Sequence, residues 1–185
     1  MSIIQELPAL ENNGEKVMVH YDIQRLTSLD TVHYKHLRML ALAEKPPAFG
    51  TTTEEEQMKT HEDTLSLLKE QYLLGAWSKS NHELVGMIRL RIVDASKEAE
   101  LGSFYVKPEH RRQGLGKILI KAALDILKRS PHVQKCSLEV VTQQRAALNL
   151  YKSFGFQITH TEKATFQREN QTYDEYVMVL HLSGG

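Results

Sequence analysis

The sequence predicts a mixed α/β domain of the α+β type: a central mixed sheet of about seven strands flanked by about four helices. Three observations carry this. Runs rich in β-branched and aromatic residues alternate with stretches whose apolar residues recur at the period of an amphipathic helix. One strand-like run passes through a glycine-containing turn straight into such a helix, across Val106 to Lys117. The chain has 185 residues, 41% hydrophobic and 25% charged, which suits one globular domain with a single sizeable core.

Residues 1–16 read as a loose extension that holds the turn signal Asn12-Asn13-Gly14, and the folded domain is expected over 17–182. Val17 to Leu26 carries a first strand. Asp30 is placed to cap a helix reaching about Glu44, with Leu37, Leu40 and Ala41 on one face. Lys45-Pro46-Pro47 stops it, since proline cannot continue a helix. Thr52 or Thr53 caps a second helix, expected to run to about Tyr72. Its first turn holds Glu54, Glu55 and Glu56, the sign of charge a helix N-terminus favours. Leu73–Ser78 and Leu84–Val93 read as strands joined at Ser80-Asn81-His82, with Ala99–Val106 next. Leu115, Ile118, Leu119, Ala122 and Ile126 form the apolar face of a helix that Ser130-Pro131 ends. A strand over Val133–Val141 and a helix over Gln144–Phe154, closed by Gly155, follow. Phe156–Thr161 and Tyr173–Leu182 are the last strands, joined through Arg168-Glu169-Asn170-Gln171, and 183–185 read as a flexible end.

Composition excludes several classes. Lys plus Arg number 23 and Asp plus Glu number 23, so no global basic field exists for gripping nucleic acid. Arg111, Arg112 and Lys117 make a local patch, but no aromatic platform or wider basic stripe accompanies it, and no nucleic-acid partner is expected. Met1 to Pro8 has no basic region leading an apolar run, and no stretch approaches the roughly 20 apolar residues of a membrane span. The lone Cys136 cannot form an internal disulfide, which fits a reducing compartment and a cytoplasmic location. No motif speaks for an oligomeric state, so monomer and homodimer both stay open.

The most informative run is Lys107-Pro108-Glu109-His110-Arg111-Arg112-Gln113-Gly114-Leu115-Gly116-Lys117. A strand ends, the chain turns, and a helix begins at two glycines. First-turn backbone N–H groups have no intrahelical partner and carry partial positive charge, so they suit phosphate. Gly114 and Gly116 let the main chain come close to an anion, and Arg111, Arg112 and Lys117 add charge nearby. The Gly-Lys-Ser/Thr ending of a Walker loop is missing, as is the three-glycine dinucleotide fingerprint.

The spacing Arg111-x-x-Gly114-x-Gly116 resembles motif A of the GNAT superfamily of N-acetyltransferases, whose pattern is Gln/Arg-x-x-Gly-x-Gly/Ala after a strand. Downstream, Ala147-x-x-Leu150-Tyr151-x-x-x-Gly155-Phe156 is similar to the family's other marker. The resemblance spans about Ala99 to Phe156. It implies the GNAT fold, acetyl-CoA or a related short acyl-CoA as co-substrate, and an amine acceptor attacked directly in a ternary complex. It further implies that Arg111, Arg112, Gln113, Gly114, Leu115, Gly116 and Lys117 cradle the pyrophosphate. Backbone groups of Phe104, Tyr105 and Val106 would hold the pantetheine arm like an added strand and supply oxyanion donors. The family usually has Asn where this chain has Gln144, a further cofactor-contact position.

Acyl transfer to an amine needs a neutral amine, donors for the developing oxyanion and a proton for the departing thiolate. The resemblance assigns the last task to Tyr151. On the residues alone, Tyr151 also suits a place in the core, four residues from Ala147 and beside the stripe of Ala146, Leu150 and Phe154. Glu100, on the strand feeding the loop, matches the catalytic glutamate of histone-acetyltransferase-like members; an ordinary solvent-facing charge is the other reading. Cys136 sits in an apolar strand without a neighbouring histidine and reads as a buried structural thiol. His33 and His36 lack further ligands at metal spacing, so no metal is expected. The acceptor pocket is expected from Asp30–Tyr72 and Arg168–Tyr176. Glu54, Glu55, Glu56, Glu62 and Asp63 either attract a cationic amine or form a solvated helix face. A non-catalytic acyl-CoA sensor on the same fold is the alternative from another class.

Overall fold

A computed structural model describes residues 20–44, 46–93, 97–130 and 132–182. The expected extension over 1–16, the first residues of the expected first strand and the end at 183–185 lie outside the described residues, as do Lys45 and Pro131.

Strand β1 spans Tyr21–Arg25. Thr27 then takes the N–H of Leu29 on its hydroxyl while the Asp30 carboxylate accepts from the Thr27 N–H at 2.7 Å. This reciprocal cap starts a 3₁₀ turn at Ser28–Asp30 and uses up Asp30, which was expected to cap the helix itself. Helix α1 covers Thr31–Ala43 and buries Thr31, Tyr34, Leu37, Arg38 and Ala41. Leu40, expected on that face, lies beyond the edge of the buried arc and is 38% exposed.

The single helix expected up to Tyr72 is two. Helix α2 is Thr53–Met58, capped by Thr52 with Glu55, and α3 is His61–Glu70, capped by Thr60 with Asp63. Lys59 between them is extended, so the chain breaks where the second capping box begins. Strands β2 (Tyr72–Ser78), β3 (Leu84–Val93) and β4 (Glu98–Val106) follow close to their expected places. A short 3₁₀ turn, Pro108–His110, leads to α4 (Leu115–Lys128), then β5 (Lys135–Val141) and α5 (Arg145–Ser153). Strands β6 (Gln157–Arg168) and β7 (Gln171–His181) are longer than expected. Their turn residues Glu169 and Asn170 have φ of +46° and +63°, the backbone a tight two-residue hairpin needs.

The seven strands form one sheet in the order β1-β2-β3-β4-β5-β7-β6. Neighbours are antiparallel except β4 and β5. Helix α4 supplies that parallel crossover and buries Leu115, Leu119, Ile120, Ala123, Leu124, Ile126 and Leu127 against one face, where Tyr151 of α5 joins them. Each such side chain contributes about 1.5–3 kcal/mol on burial. A second, smaller cluster on the other face joins Tyr34, Leu37 and Ala41 of α1 to Leu68 of α3 and to Leu73, Met87 and Tyr105 of the sheet.

Candidate active site

The feature that positions everything else is a parting of two strands. β4 pairs with β5 only from Glu98 to Leu101, whose partner is Leu138. On its other side β4 stays with β3 up to Val106, across a bulge: Met87 faces Tyr105 and Arg89 faces Gly102, so Ser103 and Phe104 stand opposite Ile88 alone. Ser103 carries the turn with φ of +47°. A bulge increases local twist and bends its strand, here away from β5. The main chain of Phe104, Tyr105 and Val106 therefore has no strand partner on the β5 side.

The glycine turn sits at the end of that gap. Arg112 and Gly114 have φ of +59° and +86°, and Gly114 is the N-cap of α4 without any side-chain cap bond. The first-turn N–H groups of α4 thus remain available at the mouth of the gap. The turn is braced from outside: the Tyr21 hydroxyl donates to Gln113 Oε1 and meets His110 Nδ1, each at 3.0 Å, and Gln113 Nε2 donates to the Glu109 carbonyl. A Cβ on Gly116 would come within 3.1 Å of Leu150 and 3.2 Å of Phe104, so the missing side chain lets α4 lie close to both α5 and β4. The Leu115 side chain is in the core, which leaves only its main chain for an anion. Arg112 and Lys117 are exposed. Arg111 instead turns back: its Nε donates to the Val106 carbonyl at 2.8 Å, its Nη2 pairs with Glu44 at 2.6 Å, and it lies over the Tyr105 ring.

Tyr151 is buried on the α4–α5 side of the gap, 5.8 Å from the Phe104 ring and 5.9 Å from Phe156. Its hydroxyl has no protein partner among the described residues, and burial, followed by the nearby Cys136, raises its pKa. The ring belongs to the core cluster, and it packs against Phe104, in the part of β4 that has no partner on the β5 side. Glu100 lies on the opposite face, directly across from Arg91 in the β3–β4 ladder. Arg91 Nε and Nη2 both donate to Glu100 Oε2, at 3.0 and 2.5 Å, and Oε1 stays outside that pair. Cys136 is fully buried and its thiol is pushed up to about 12, chiefly by desolvation, which makes it inert as a nucleophile. His33 packs edge-on against Trp77.

The segment following α1 straps the open side. Glu44, beside Arg111, also accepts from the Tyr105 hydroxyl at 3.1 Å. The side-chain amide of Gln144, at the start of α5, donates to the Pro46 carbonyl at 2.9 Å. Arg168, at the tip of the β6–β7 hairpin, donates to the Gly50 carbonyl and stacks over Phe166, itself against Gly50. The segment 46–52 is thereby tied to α5 and to the hairpin. Residues of the two expected pocket regions, 30–72 and 168–176, do meet here. Of the acidic residues flagged there, Glu56 is buried and paired with Lys59, while Glu54, Glu55 and Asp63 serve as helix-start carboxylates.

Several side-chain contacts at the site had no sequence signal of their own. Tyr105 and Glu44 meet only through the fold, and burial first, then Glu44, pushes the Tyr105 phenol up to about 12. Arg89, Glu139 and Glu175 share the α1 face of the sheet, a register visible only once strand order is known.

The chain matches the family model for the acetyltransferase (GNAT) family over residues 34–156. It is 33% identical over 98 residues to the spermidine N(1)-acetyltransferase of Thermoplasma acidophilum, covering 53% of this chain and 58% of that one. It is 33% identical over 86 residues to the ribosomal protein bS18-alanine N-acetyltransferase of Escherichia coli, covering 46% and 57%. The match thus spans a little over half the length of these curated relatives. Two solved structures have the same fold. An acetyltransferase of the GNAT family from Streptococcus pneumoniae has a TM-score of 0.77 at 18% identity, over 88% of this chain and 99% of that one. The protein yncA from Salmonella typhimurium, solved with its cofactor acetyl-CoA, has 0.73 at 19% identity, over 89% and 95%. No helix among the described residues is long and apolar enough to cross a membrane.

Proposed function

Because the chain belongs to the GNAT acetyltransferase family, we propose that it is an N-acetyltransferase carrying an acetyl or short acyl group from acetyl-CoA to an amine of a small molecule, peptide or protein. The observation that carries this is the parting of β4 from β5 at Leu101, next to an uncapped helix N-terminus built on Gly114 and Gly116. The residues fit the co-substrate. Main-chain groups of Phe104–Val106 would take the pantetheine arm as a strand takes a neighbour. The N-terminus of α4, with Arg112 and Lys117, would take the pyrophosphate. Arg111 holds the turn against the end of β4, so its contribution is through its main chain and through positioning. Gln144 is engaged with the strap and acts on the site by holding that segment.

Acetyl-CoA supplies an acyl thioester. In a ternary complex the neutral amine attacks the acyl carbon, a C–N bond forms and the C–S bond breaks. Tyr151 Oη, kept protonated by burial, donates its proton to the departing sulfur. Glu100, with Oε1 outside the Arg91 pair, accepts the amine's proton directly or through a water. The low polarity around Tyr151 strengthens each of these interactions relative to water. The relatives named as a spermidine N(1)-acetyltransferase and as a ribosomal protein bS18-alanine N-acetyltransferase are both N-acetyltransferases by name, which supports the acceptor class. The lone, buried Cys136 supports a reducing compartment such as the cytoplasm.

The test is release of free CoA thiol from acetyl-CoA with a panel of amines, beside calorimetric binding of acetyl-CoA. Amine-dependent thiol release is expected. Tight binding with no turnover on any amine leaves a sensor; absence of binding overturns the reading.

A further inference from the structure

The sheet face beneath α1 carries a charge arrangement that acyl transfer alone does not require. Tyr34 and Arg38 lie one turn apart on α1 and face β3, where Arg89 stands. Arg38 is only 7% exposed and lies over the Phe49 ring at 4.7 Å. Its Nε is 3.8 Å from Glu56 Oε2, too far for a hydrogen bond, and Lys59 already holds that oxygen at 2.8 Å. Arg38 Nη1 is buried with no hydrogen-bond partner among the described residues.

Arg89 repeats the pattern. Its Nη1 reaches Gln71 at 3.3 Å, and its buried Nε has no partner. The guanidinium lies flat across Gly102, where a Cβ would come within 2.7 Å of Nη2. Gly102 is the last β4 residue before the bulge, so Arg89 is delivered to the edge of the gap. The carboxylate closest in the ladder, Glu100, is taken by Arg91. Arg38 and Lys59 therefore share Glu56, the carboxylate whose charge acts on Arg89 is the already paired Glu100, and two buried guanidinium N–H groups, Arg38 Nη1 and Arg89 Nε, have no hydrogen-bond partner among the described residues. Native interiors rarely leave such donors unpaired, because their lost hydration is not returned.

Across the gap the sign reverses on the same face. Glu139 faces Val177 and Glu175 faces Val141, which sets both carboxylates on the surface that also carries Arg89. Neither is in a salt bridge among the described residues. Burial is the first cause that raises the pKa of each; carboxylates nearby add to it, while a hydrogen bond from Thr165 works the other way on Glu175.

We propose that the acceptor is an amino-carboxylate: its carboxylate seats on the free N–H groups of Arg38 and Arg89, and its amine end lies toward Glu139 and Glu175 at the gap. This rests on the acetyl-transfer reading and names its substrate class. A carboxylate presents two oxygens that the planar guanidinium fork matches, which a neutral ester or amide does not. A polyamine is disfavoured here, since its second cation would meet the guanidinium groups of Arg38 and Arg89.

The experiment compares matched acceptors on the full-length wild-type protein: a panel of free amino acids, their methyl esters and the corresponding decarboxylated amines, with labelled acetyl-CoA. Calorimetric binding of acetyl-CoA is run first, so that loss of the acetyltransferase reading is recognised separately. Free acids are expected to exceed both analogues at least tenfold in kcat/KM, mainly through KM. Arg89→Gln should narrow that ratio toward one. Gly102→Ala, which keeps the charge but pushes the guanidinium off its seat, should narrow it too. Esters or decarboxylated amines acetylated as well as the acids overturn the proposal, as does a wild-type ratio that survives in folded Arg89→Gln. Acetyl-CoA binding without acetylation of any amino acid overturns it as well. The wild-type comparison decides even if a variant does not fold.

Discussion

Replacing Tyr151 with phenylalanine separates chemistry from packing. The ring sits 5.8 Å from Phe104 and 5.9 Å from Phe156, and phenylalanine keeps those contacts and nearly all the volume. The hydroxyl has no protein partner among the described residues, so removing it strands no acceptor there. Stability should therefore move by no more than about 1 kcal/mol, or ~2–4 °C in Tm for a chain of this size. An acid that delivers its proton to the departing sulfur contributes about 10²–10⁴-fold, and water can stand in for part of that. A fall in kcat of ~10²-fold is expected, which corresponds to about 2.7 kcal/mol. Because the proton moves as charge develops on sulfur, kcat and kcat/KM should drop together while acetyl-CoA affinity stays near wild type. Burial raises the Tyr151 pKa, so the hydroxyl stays protonated through neutral and mildly alkaline pH. The assay is steady-state kinetics, calorimetric binding and thermal melting on the two proteins side by side. Full kcat in the variant, with chemistry shown to be rate-limiting, would refute the acid role. A collapse of binding and Tm together with rate would refute the claim that the hydroxyl is structurally dispensable.

Gly114→Asp puts a branched, negative side chain at φ of +86° beside the uncapped N-terminus of α4, and acetyl-CoA affinity should fall more than tenfold by calorimetry; unchanged affinity in a folded variant would remove the phosphate role. Glu100→Gln should lower kcat/KM and reshape the acidic limb of its pH profile while leaving cofactor affinity alone, and an unaltered profile at full rate returns Glu100 to a surface ion pair with Arg91. Glu175→Gln concerns stability. Its folded pKa is raised by burial, so the neutral form is the one folding favours: that stability is complete below the unfolded value and is lost as pH rises through the folded one. The variant should match wild type near pH 4 and melt higher by about 1–4 °C at pH 7, and a lower Tm at pH 7 would count against a strained carboxylate.

The sheet and its glycine turn were legible because their signals are local. Val106 to Gly116 spells out strand, turn and helix start within one short run, and α4 has an unbroken apolar face. Where competing local signals overlapped, expectation failed. Thr60 and Asp63 form a second capping box inside what periodicity joined into one helix. Asp30 was spent on the turn before α1. β6 is an edge strand with its side chains largely in solvent, so Glu162 to Gln167 shows no alternation to read. At the site, Tyr151 and the two glycines were visible through spacing. The Arg111–Glu44 pair joins residues 67 positions apart, and Arg89, Glu139 and Glu175 become neighbours only through strand order.

The strap over the gap is fastened by its main chain. Gln144 grips the carbonyl of Pro46, and Arg168 grips the carbonyl of Gly50. Carbonyl oxygens belong to every residue type, so these two fastenings are indifferent to which side chains the segment carries. Closure and selectivity are thereby written in separate alphabets: the backbone holds the segment at Pro46 and Gly50, and its side chains other than Phe49, packed beneath Arg38, and Thr52, which caps the next helix, can be exchanged without untying it. A library confined to those positions should redirect what the protein accepts while the sheet, the glycine turn and Tyr151 stay as they are.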